Sequence, residues 1–299
     1  MKKSIAPLAV FGLMVNLTVW GLSWMPFKSL QAQGIHPLWA TCMICASSVV
    51  FMLALKPAIW RELFSNPQLF WLVGGAGLTN AFFNTAVAFG DVVRVVLLFY
   101  LMPIWSVLLA WPLLGEAITS RAVVRISMGL AGAMLVLYQP AIGLPLPVSL
   151  ADWAALAGGA SFALNNIMLR KLHTTSEAVR AFCMFAGAMF LCGVIAAVLA
   201  VGGSIVWPVA AWKNLDATST LALWSVLFLV GNLGLQYGAA RLPANITAVI
   251  MLGEILVAAV SAWWLGSGQI RLQDILGGVL IIAAPWLIRD VRQAAVKNA

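Results

Sequence analysis

The sequence predicts an all-α integral membrane protein, with ten transmembrane helices arranged as two five-helix inverted repeats. Three observations lead there. The residues AVILMFWYC make up 63% of the 299-residue chain and charged residues only 9%, against about 45–50% apolar and about 25% charged in soluble domains. The apolar residues gather in runs of about 20, the length that crosses a ~30 Å hydrocarbon core as a helix. The basic residues cluster on alternate connectors, as they do in chains that weave through a bilayer. The runs are too long for barrel strands of about 10 residues and do not alternate polar with apolar, so a bundle rather than a barrel follows. Ten crossings use about 200 positions and leave no space for a soluble catalytic domain.

The helices fall between charges, prolines and glycines. Helix one, about 6–27, follows Met1-Lys2-Lys3 and stops at Lys28. It reads as an uncleaved span rather than a secretory signal, since Pro7 to Phe27 is long enough to cross and no A-x-A-like site follows. Helix two covers about 37–55, from Pro37 to Lys56-Pro57. Helix three, about 68–90, runs from Pro67 to Gly90-Asp91. Helix four, about 95–114, lies between Arg94 and Gly115-Glu116, and helix five, about 121–138, between Arg121 and Pro140. Helix six, about 152–170, starts at Asp152 and closes on Arg170-Lys171. Helix seven, about 179–201, ends at Gly202-Gly203. Helix eight, about 220–240, ends at Arg241. Helix nine, about 243–266, runs from Pro243 to Gly266, and helix ten, about 273–288, reaches Arg289. The connectors Lys56–Pro67 and Gly202–Ser219 hold the remaining breakers, and Trp39, Trp60, Trp153, Trp207, Trp212 and Trp286 fall near predicted ends as an aromatic belt.

With the N-terminus inside, the inner side holds Lys2, Lys3, Lys56, Arg61, Arg121, Arg125, Arg170, Lys171, Arg180, Arg241, Arg289, Arg292 and Lys297, thirteen residues, and the outer side Lys28, Arg94, Lys213 and Arg271, four. Both termini are therefore expected in the cytoplasm. The net charge of +8 is scattered singly and in pairs at the ends of apolar runs, which reads as membrane anchoring and not as a nucleic-acid surface.

A shift of 152 residues lays Asn80 on Asn232, Asn84 on Gln236, Ala88 on Ala240, Ala110 on Ala262 and Trp111 on Trp263 without a gap, and helix one falls on helix six at a shift of 142. Five helices is an odd number, so two copies insert in opposite senses, the inverted repeat of secondary transporters with a site near the midplane. Residues 1–139 form the first repeat, 140–151 an outer connector and 152–299 the second repeat.

Polar groups inside the bilayer are the candidate functional residues, because a carboxylate at helix centre costs about 2.5–3.5 kcal/mol on insertion scales and faces a cavity or a partner. Glu254 is the one acid deep within a predicted span. It admits two readings: a pathway carboxyl able to take a proton or meet a substrate amine, and a structural group hydrogen-bonded between helices. Asn16, Trp20 and Trp24 recur every four residues and share a face; so do Asn80 with Asn84, and Asn232 with Gln236. Asn166 on helix six joins them as a substrate-pathway candidate. These amides read either as pathway groups or as interhelical contacts worth about 0.6 kcal/mol each. In Tyr100-Leu101-Met102-Pro103 the proline removes a backbone bond and either exposes carbonyls to a cavity or merely kinks the helix. Gly74-Gly75-Ala76-Gly77 and Gly234-x-x-x-Gly238 read as close-packing surfaces. Cys42, Cys45, Cys183 and Cys192 lie inside predicted helices as small hydrophobes. His36 and His173 sit at membrane edges without ligand-spaced neighbours, and no G-x-S-x-G or H-E-x-x-H occurs. No catalytic residue, metal or cofactor is expected.

The pattern resembles the EamA-like members of the drug/metabolite transporter superfamily. The resemblance rests on Trp20-Gly21 followed by Lys28, on Leu101-Met102-Pro103-Ile104 running to Leu113-Leu114-Gly115-Glu116, on Gly129 and Gly132, and on Glu254-Ile255 running to Trp264-Leu265-Gly266 with Gly277-Gly278. Many relatives have Glu-Pro where this chain has Glu254-Ile255, and Gly-Glu where it has Gly266-Ser267. The Phe99-Tyr100-Leu101-Met102-Pro103 stretch is similar to YddG-type aromatic amino acid exporters. The resemblance implies a central cavity lined by helices one, three, four, six, eight and nine, and export of aromatic and other amino acids from a bacterial cell by alternating access through the inner membrane. The expected partners are a small-molecule substrate and the lipid bilayer. The same fold could export another metabolite or drug; a channel or an intramembrane enzyme is the reading from a different class.

Overall fold

The computed structural model describes residues 5–139, 146–209, 214–265 and 271–286, and side chains from Pro7 to Pro285 within those ranges. Met1-Lys2-Lys3, residues 140–145 of the 140–151 connector, Trp212, Lys213, Gly266-Ser267 and the segment with Arg289, Arg292 and Lys297 lie outside the described residues, as does the Trp286 side chain. Every described element is a helix. They are α1 (Ile5–Leu22), α2 (Trp24–Ala32), α3 (Pro37–Leu55), α4 (Ile59–Ser65), α5 (Leu69–Phe89), α6 (Val92–Phe99), α7 (Met102–Leu114), α8 (Ser120–Leu137), α9 (Leu150–Lys171), α10 (Glu177–Val201), α11 (Leu215–Ala239), α12 (Ala244–Met251), α13 (Glu254–Trp264) and α14 (Leu272–Trp286).

Among the described residues, eight stretches are long and apolar enough to cross a membrane: Pro7–Ala32, Pro37–Leu55, Leu69–Phe89, Val92–Leu114, Ser120–Leu137, Glu177–Val201, Leu215–Ala239 and Ala244–Trp264. The helix α9 has the length, at 22 residues, but its Asp152, Asn165, Asn166, Arg170 and Lys171 lower its hydropathy. The described part of α14 is apolar and shorter. The surface is correspondingly greasy, with Phe51, Trp71, Trp111, Phe190, Val226 and Val279 all exposed. In water such a surface would aggregate; against acyl chains it is matched.

Three of the predicted helices are broken. Helix four divides into α6 and α7 at Tyr100–Leu101, where Leu101 N–H bonds to Leu98 O at 3.3 Å in a tightened turn. Pro103 has no N–H to offer Phe99 O, so the α-helical ladder cannot continue. Helix nine divides into α12 and α13 at Leu252–Gly253, again through i to i−3 bonds, Leu252 to Val249 O and Gly253 to Ile250 O. Helix one divides at Ser23, whose Oγ donates to Trp20 O at 2.6 Å. The helices α12, α13 and α14 each begin 152 residues after α6, α7 and α8.

The helices pack chiefly across the chain's midpoint: α1 lies on α11, α5 on α9 and α10, α8 on α14, and α3 on α10. Glycines allow this. A Cβ added to Gly12 would meet Gly234 O at 2.6 Å, and one on Gly132 would meet Gly277 O at 2.6 Å, so these helices touch backbone to backbone. Of the glycines expected to pack closely, Gly75, Gly77, Gly234 and Gly238 do, and Gly74 faces open space.

The end at which α1 begins is here termed proximal and the opposite end distal. The proximal end is held by Arg170–Glu116 at 2.8 Å and Arg241–Glu177 at 3.3 Å, the distal end by Asn214–Gln33 at 2.6 Å and the Trp39–Trp207 ring pair at 5.4 Å. The apolar core is unevenly divided between them. One continuous cluster joins Leu13, Leu72, Leu169, Val179, Leu235 and Ile246 across the proximal half. The distal half holds separate clusters, one around Leu30, Ile44, Leu221 and Phe228 and another around Ala86, Val95, Leu98 and Ala155.

Candidate functional site

A cavity lies between those distal clusters and ends on the proximal one. Phe27, Ile44 and Phe228 on one side and Phe83 on the other carry its wall distally; Met102, Met251 and Glu254 lie at mid-depth, beside the breaks in helices four and nine. Phe99, Phe162 and Phe185 complete a largely aromatic enclosure. Phe83 and Phe99 are 4.8 Å apart at their centroids, and Trp20 meets Phe228 edge to face at 4.6 Å.

The polar groups on the wall are Thr41, Thr79, Asn80, Asn165, Asn232 and Glu254. Some of their donors are already engaged. Thr79 Oγ1 donates to Gly75 O at 2.6 Å and Asn80 Nδ2 to Ala76 O at 2.9 Å. Thr41 Oγ1 accepts from Asn84 Nδ2 at 3.1 Å. Asn165 Oδ1 is buried without a hydrogen-bond partner. Asn232 meets the Gln236 amide at 2.8 Å and turns its Nδ2 to Met184 Sδ at 3.7 Å. Glu254 has the Tyr100 hydroxyl as its hydrogen-bonding neighbour.

Five of the sequence-derived candidates, Trp20, Asn80, Met102, Asn232 and Glu254, thus come together on one cavity wall. The others stand behind it. Tyr100 is buried beside Glu254, and Pro103 sits at the start of α7 where it enforces the break. Asn84 supports Thr41 and caps back onto Asn80 O at 2.8 Å. Gln236 is fully buried below Asn232. Asn16 and Asn166, 1% and 2% exposed, lie in helix interfaces with no hydrogen-bond partner. Trp24 donates to Ser261 Oγ at 3.0 Å; the break at Ser23 places it on α2 rather than on α1 with Trp20. Spacing on an unbroken helix had put the two tryptophans on one face.

The proximal floor contains a residue that sequence reasoning counted only as a topology charge. Arg180 is 1% exposed. Its Nη1 donates to Leu172 O, His173 O and Thr175 O at 3.0, 3.1 and 2.6 Å, and its Nε to Gln236 at 3.4 Å. A cation on the last carbonyls of α9 is favourable, and here it also ties the α9–α10 turn to α11. Asn165 was passed over in favour of its neighbour Asn166, and Thr41 and Thr79 were missed; an Asn-Asn pair in an apolar run was the available signal. Among the described residues no group of three or more His, Cys, Asp or Glu side chains could hold a metal ion, and the four cysteines are free.

Residues 7–138 match the EamA-like transporter family, which meets the resemblance read from the sequence. Over 288 residues the chain is 26% identical to a "Probable terminal-alkyne amino-acid exporter" of Streptantibioticus cattleyicolor, covering 94% of this chain and 93% of that one. A solved crystal structure superposes with a TM-score of 0.73 over 93% of this chain and 96% of its own, at 17% identity, and shows the same fold. The two sequence matches are to transporters.

Proposed function

With its first half matching the EamA-like transporter family, we propose that the chain is a secondary transporter that exports amino acids, aromatic ones among them, by alternating access across a bacterial inner membrane. The observation that carries this reading is the cavity itself. It is lined by rings and by amides, lies at the depth of two helix breaks, and ends on the continuous proximal core. An aromatic amino acid has an apolar body for such rings and a polar end for such amides.

In this reading the chain crosses the bilayer ten times as two inverted five-helix repeats, divided at about residues 140–151. The common 152-residue offset of three helix starts and of the two breaks supports it, and discontinuous helices at mid-depth are where such transporters hold substrate. The cytoplasmic placement of both termini comes from the basic-residue bias and makes the proximal end cytoplasmic. The curated relative's name supports an amino-acid substrate.

Purified protein in liposomes, loaded with labelled phenylalanine and diluted into buffer, should show saturable efflux that excess unlabelled phenylalanine inhibits. Efflux no faster than from empty liposomes overturns the reading, and efflux that never saturates assigns a channel instead. A pH gradient that accelerates efflux in the native protein but not in Glu254→Gln at saturating substrate would add proton exchange at that carboxyl.

A further inference from the structure

The inventory of acidic and basic side chains in the cavity is lopsided. Its one such group, among the described lining residues, is the Glu254 carboxyl; no Lys, Arg or His reaches the wall. The arginines buried in the bundle are held elsewhere: Arg125 Nη1 donates to Asn245 Oδ1 at 2.6 Å, and Arg180 to three main-chain carbonyls.

The neutral groups are mixed. The Thr79 hydroxyl has its proton on Gly75 O and leaves oxygen lone pairs free, while Asn80, with one amide proton on Ala76 O, keeps its carbonyl oxygen and a second N–H. Asn165 Oδ1 is a buried acceptor with nothing on it. The donors left to face a substrate, Asn232 Nδ2 on a sulfur at 3.7 Å, the second Asn80 N–H, the Asn165 amide, the Thr41 hydroxyl and the Trp20 indole N–H, are all neutral. The surrounding rings add a further preference, since an aromatic face attracts an ammonium and repels an anion.

Building on the transporter reading, we infer that this site selects its substrate by the amino group and not by the carboxylate, so that its substrate class includes aromatic primary amines as well as amino acids. The ammonium meets Glu254 directly, the oxygen lone pairs of Thr79 and Asn80 complete its hydrogen bonds, and the rings take the aromatic body. A carboxylate entering alone meets no cation, and an unpaired anion against a largely apolar, ring-lined wall is disfavoured. On an amino acid the same carboxylate is tolerated at the Asn232 end, where loss of a neutral amide contact changes affinity about tenfold or less.

Three probes of one shape separate the possibilities: phenylalanine, 2-phenylethylamine, which lacks the carboxylate, and 3-phenylpropionate, which lacks the amine. Equilibrium binding to the purified full-length protein is the readout, because an uncharged amine crosses bilayers unaided and would blur a flux assay. Phenylethylamine should bind within about tenfold of phenylalanine, and phenylpropionate at least about a hundredfold more weakly, the difference expected for losing an ionic hydrogen-bonded contact. Glu254→Gln should bring the amine and the acid to within about tenfold of each other. Phenylpropionate binding as well as phenylethylamine, or phenylethylamine failing where phenylalanine binds, overturns the inference while leaving amino-acid export intact. Retained selectivity in a folded Glu254→Gln protein also overturns it. Amine-selective binding without any phenylalanine efflux supports the inference and overturns the export reading; no binding of any probe overturns the inference.

Discussion

The break in helix four rests on a single close approach that can be tested from both sides. A Cβ added to Gly159 on α9 would come within 2.5 Å of Phe99 O, the carbonyl that Pro103 cannot satisfy. An ordinary carbon–oxygen contact is about 3.3–3.6 Å, so Gly159→Ala requires a shift of roughly 0.8 Å in a backbone atom, which cannot rotate away. Overpacking of that kind costs about 1–3 kcal/mol, and the better helix propensity of alanine returns about 0.8–1.0 kcal/mol, leaving a net loss of about 0–2 kcal/mol. Gly74 is the control, because a Cβ there meets nothing within 4 Å and Gly74→Ala should gain about 0.8–1.0 kcal/mol. Thermal unfolding in detergent should therefore move in opposite directions for the two variants. Pro103→Ala gives the chain an N–H that can draw Phe99 O back into a continuous helix, so the Gly159→Ala, Pro103→Ala double variant should lose less than the sum of the singles. A Gly159→Ala protein as stable as Gly74→Ala, or strict additivity in the cycle, would refute the reasoning.

Four further outcomes are expected. Arg180→Met removes a guanidinium from three carbonyls and should cost about 2–4 kcal/mol; a melting temperature unchanged from the native protein would mean that the α9–α10 turn is held by other contacts. His36 Nδ1 accepts the Leu38 N–H at 3.3 Å as the cap of α3, and burial holds its pKa below the ordinary 6.5. Protonation is thus easier in the unfolded chain, and the cap's contribution, complete above about pH 6.5, should decline as pH falls below it. His36→Asn, a non-titrating cap, should flatten that part of the stability profile, and an unaltered profile would assign the acid sensitivity elsewhere. In a background without native cysteines, needed because Cys45 lines the cavity, Trp20→Cys should react with small aqueous thiol reagents and be protected by phenylalanine. Trp24→Cys should stay silent, and the reverse pattern would move the cavity to α2. Reporter fusions at residues 145 and 299 should report opposite compartments; matching ones would remove the five-plus-five topology.

Much of the bundle was legible because lipid permits so few solutions. A run of some 20 apolar residues between charges has one available form, and the helices α3, α5, α8, α10 and α11 sit where the runs lie. The breaks were harder. Pro103 announced the one in helix four, but nothing in the apolar pattern around Leu252-Gly253 or Ser23 marks a loss of helical bonding, since hydropathy records side chains and not carbonyls. That blindness explains Trp24, which shares a four-residue spacing with Trp20 but not its surroundings. The polar candidates were recognisable as residue types out of place in an apolar span, yet their positions sorted them. Asn80 and Asn232 face the cavity, whereas Asn16 and Asn166 are sealed in interfaces. Telling Asn165 from Asn166 needs the rotation of α9 against α5, which is set by Gly75 lying against the Asn165 backbone. Arg180 looked like an anchor at a membrane edge; only the turn folding back over it shows a buried cation serving three carbonyls.

The glycine contacts described for the fold bear on motion. Gly12 with Gly234, Gly132 with Gly277, and Gly77 with Gly187 all pair a residue before position 140 with one after it. Where two helices meet largely through main chain, few side chains have to disengage and little rotamer entropy is lost when the surfaces re-seat. Larger side chains fix register because knobs must leave their holes before anything slides. On the transporter reading proposed above, these seams would serve as bearings on which the segment before position 140 tilts against the segment after it, and the barrier between conformations would be left to the floor beneath the cavity.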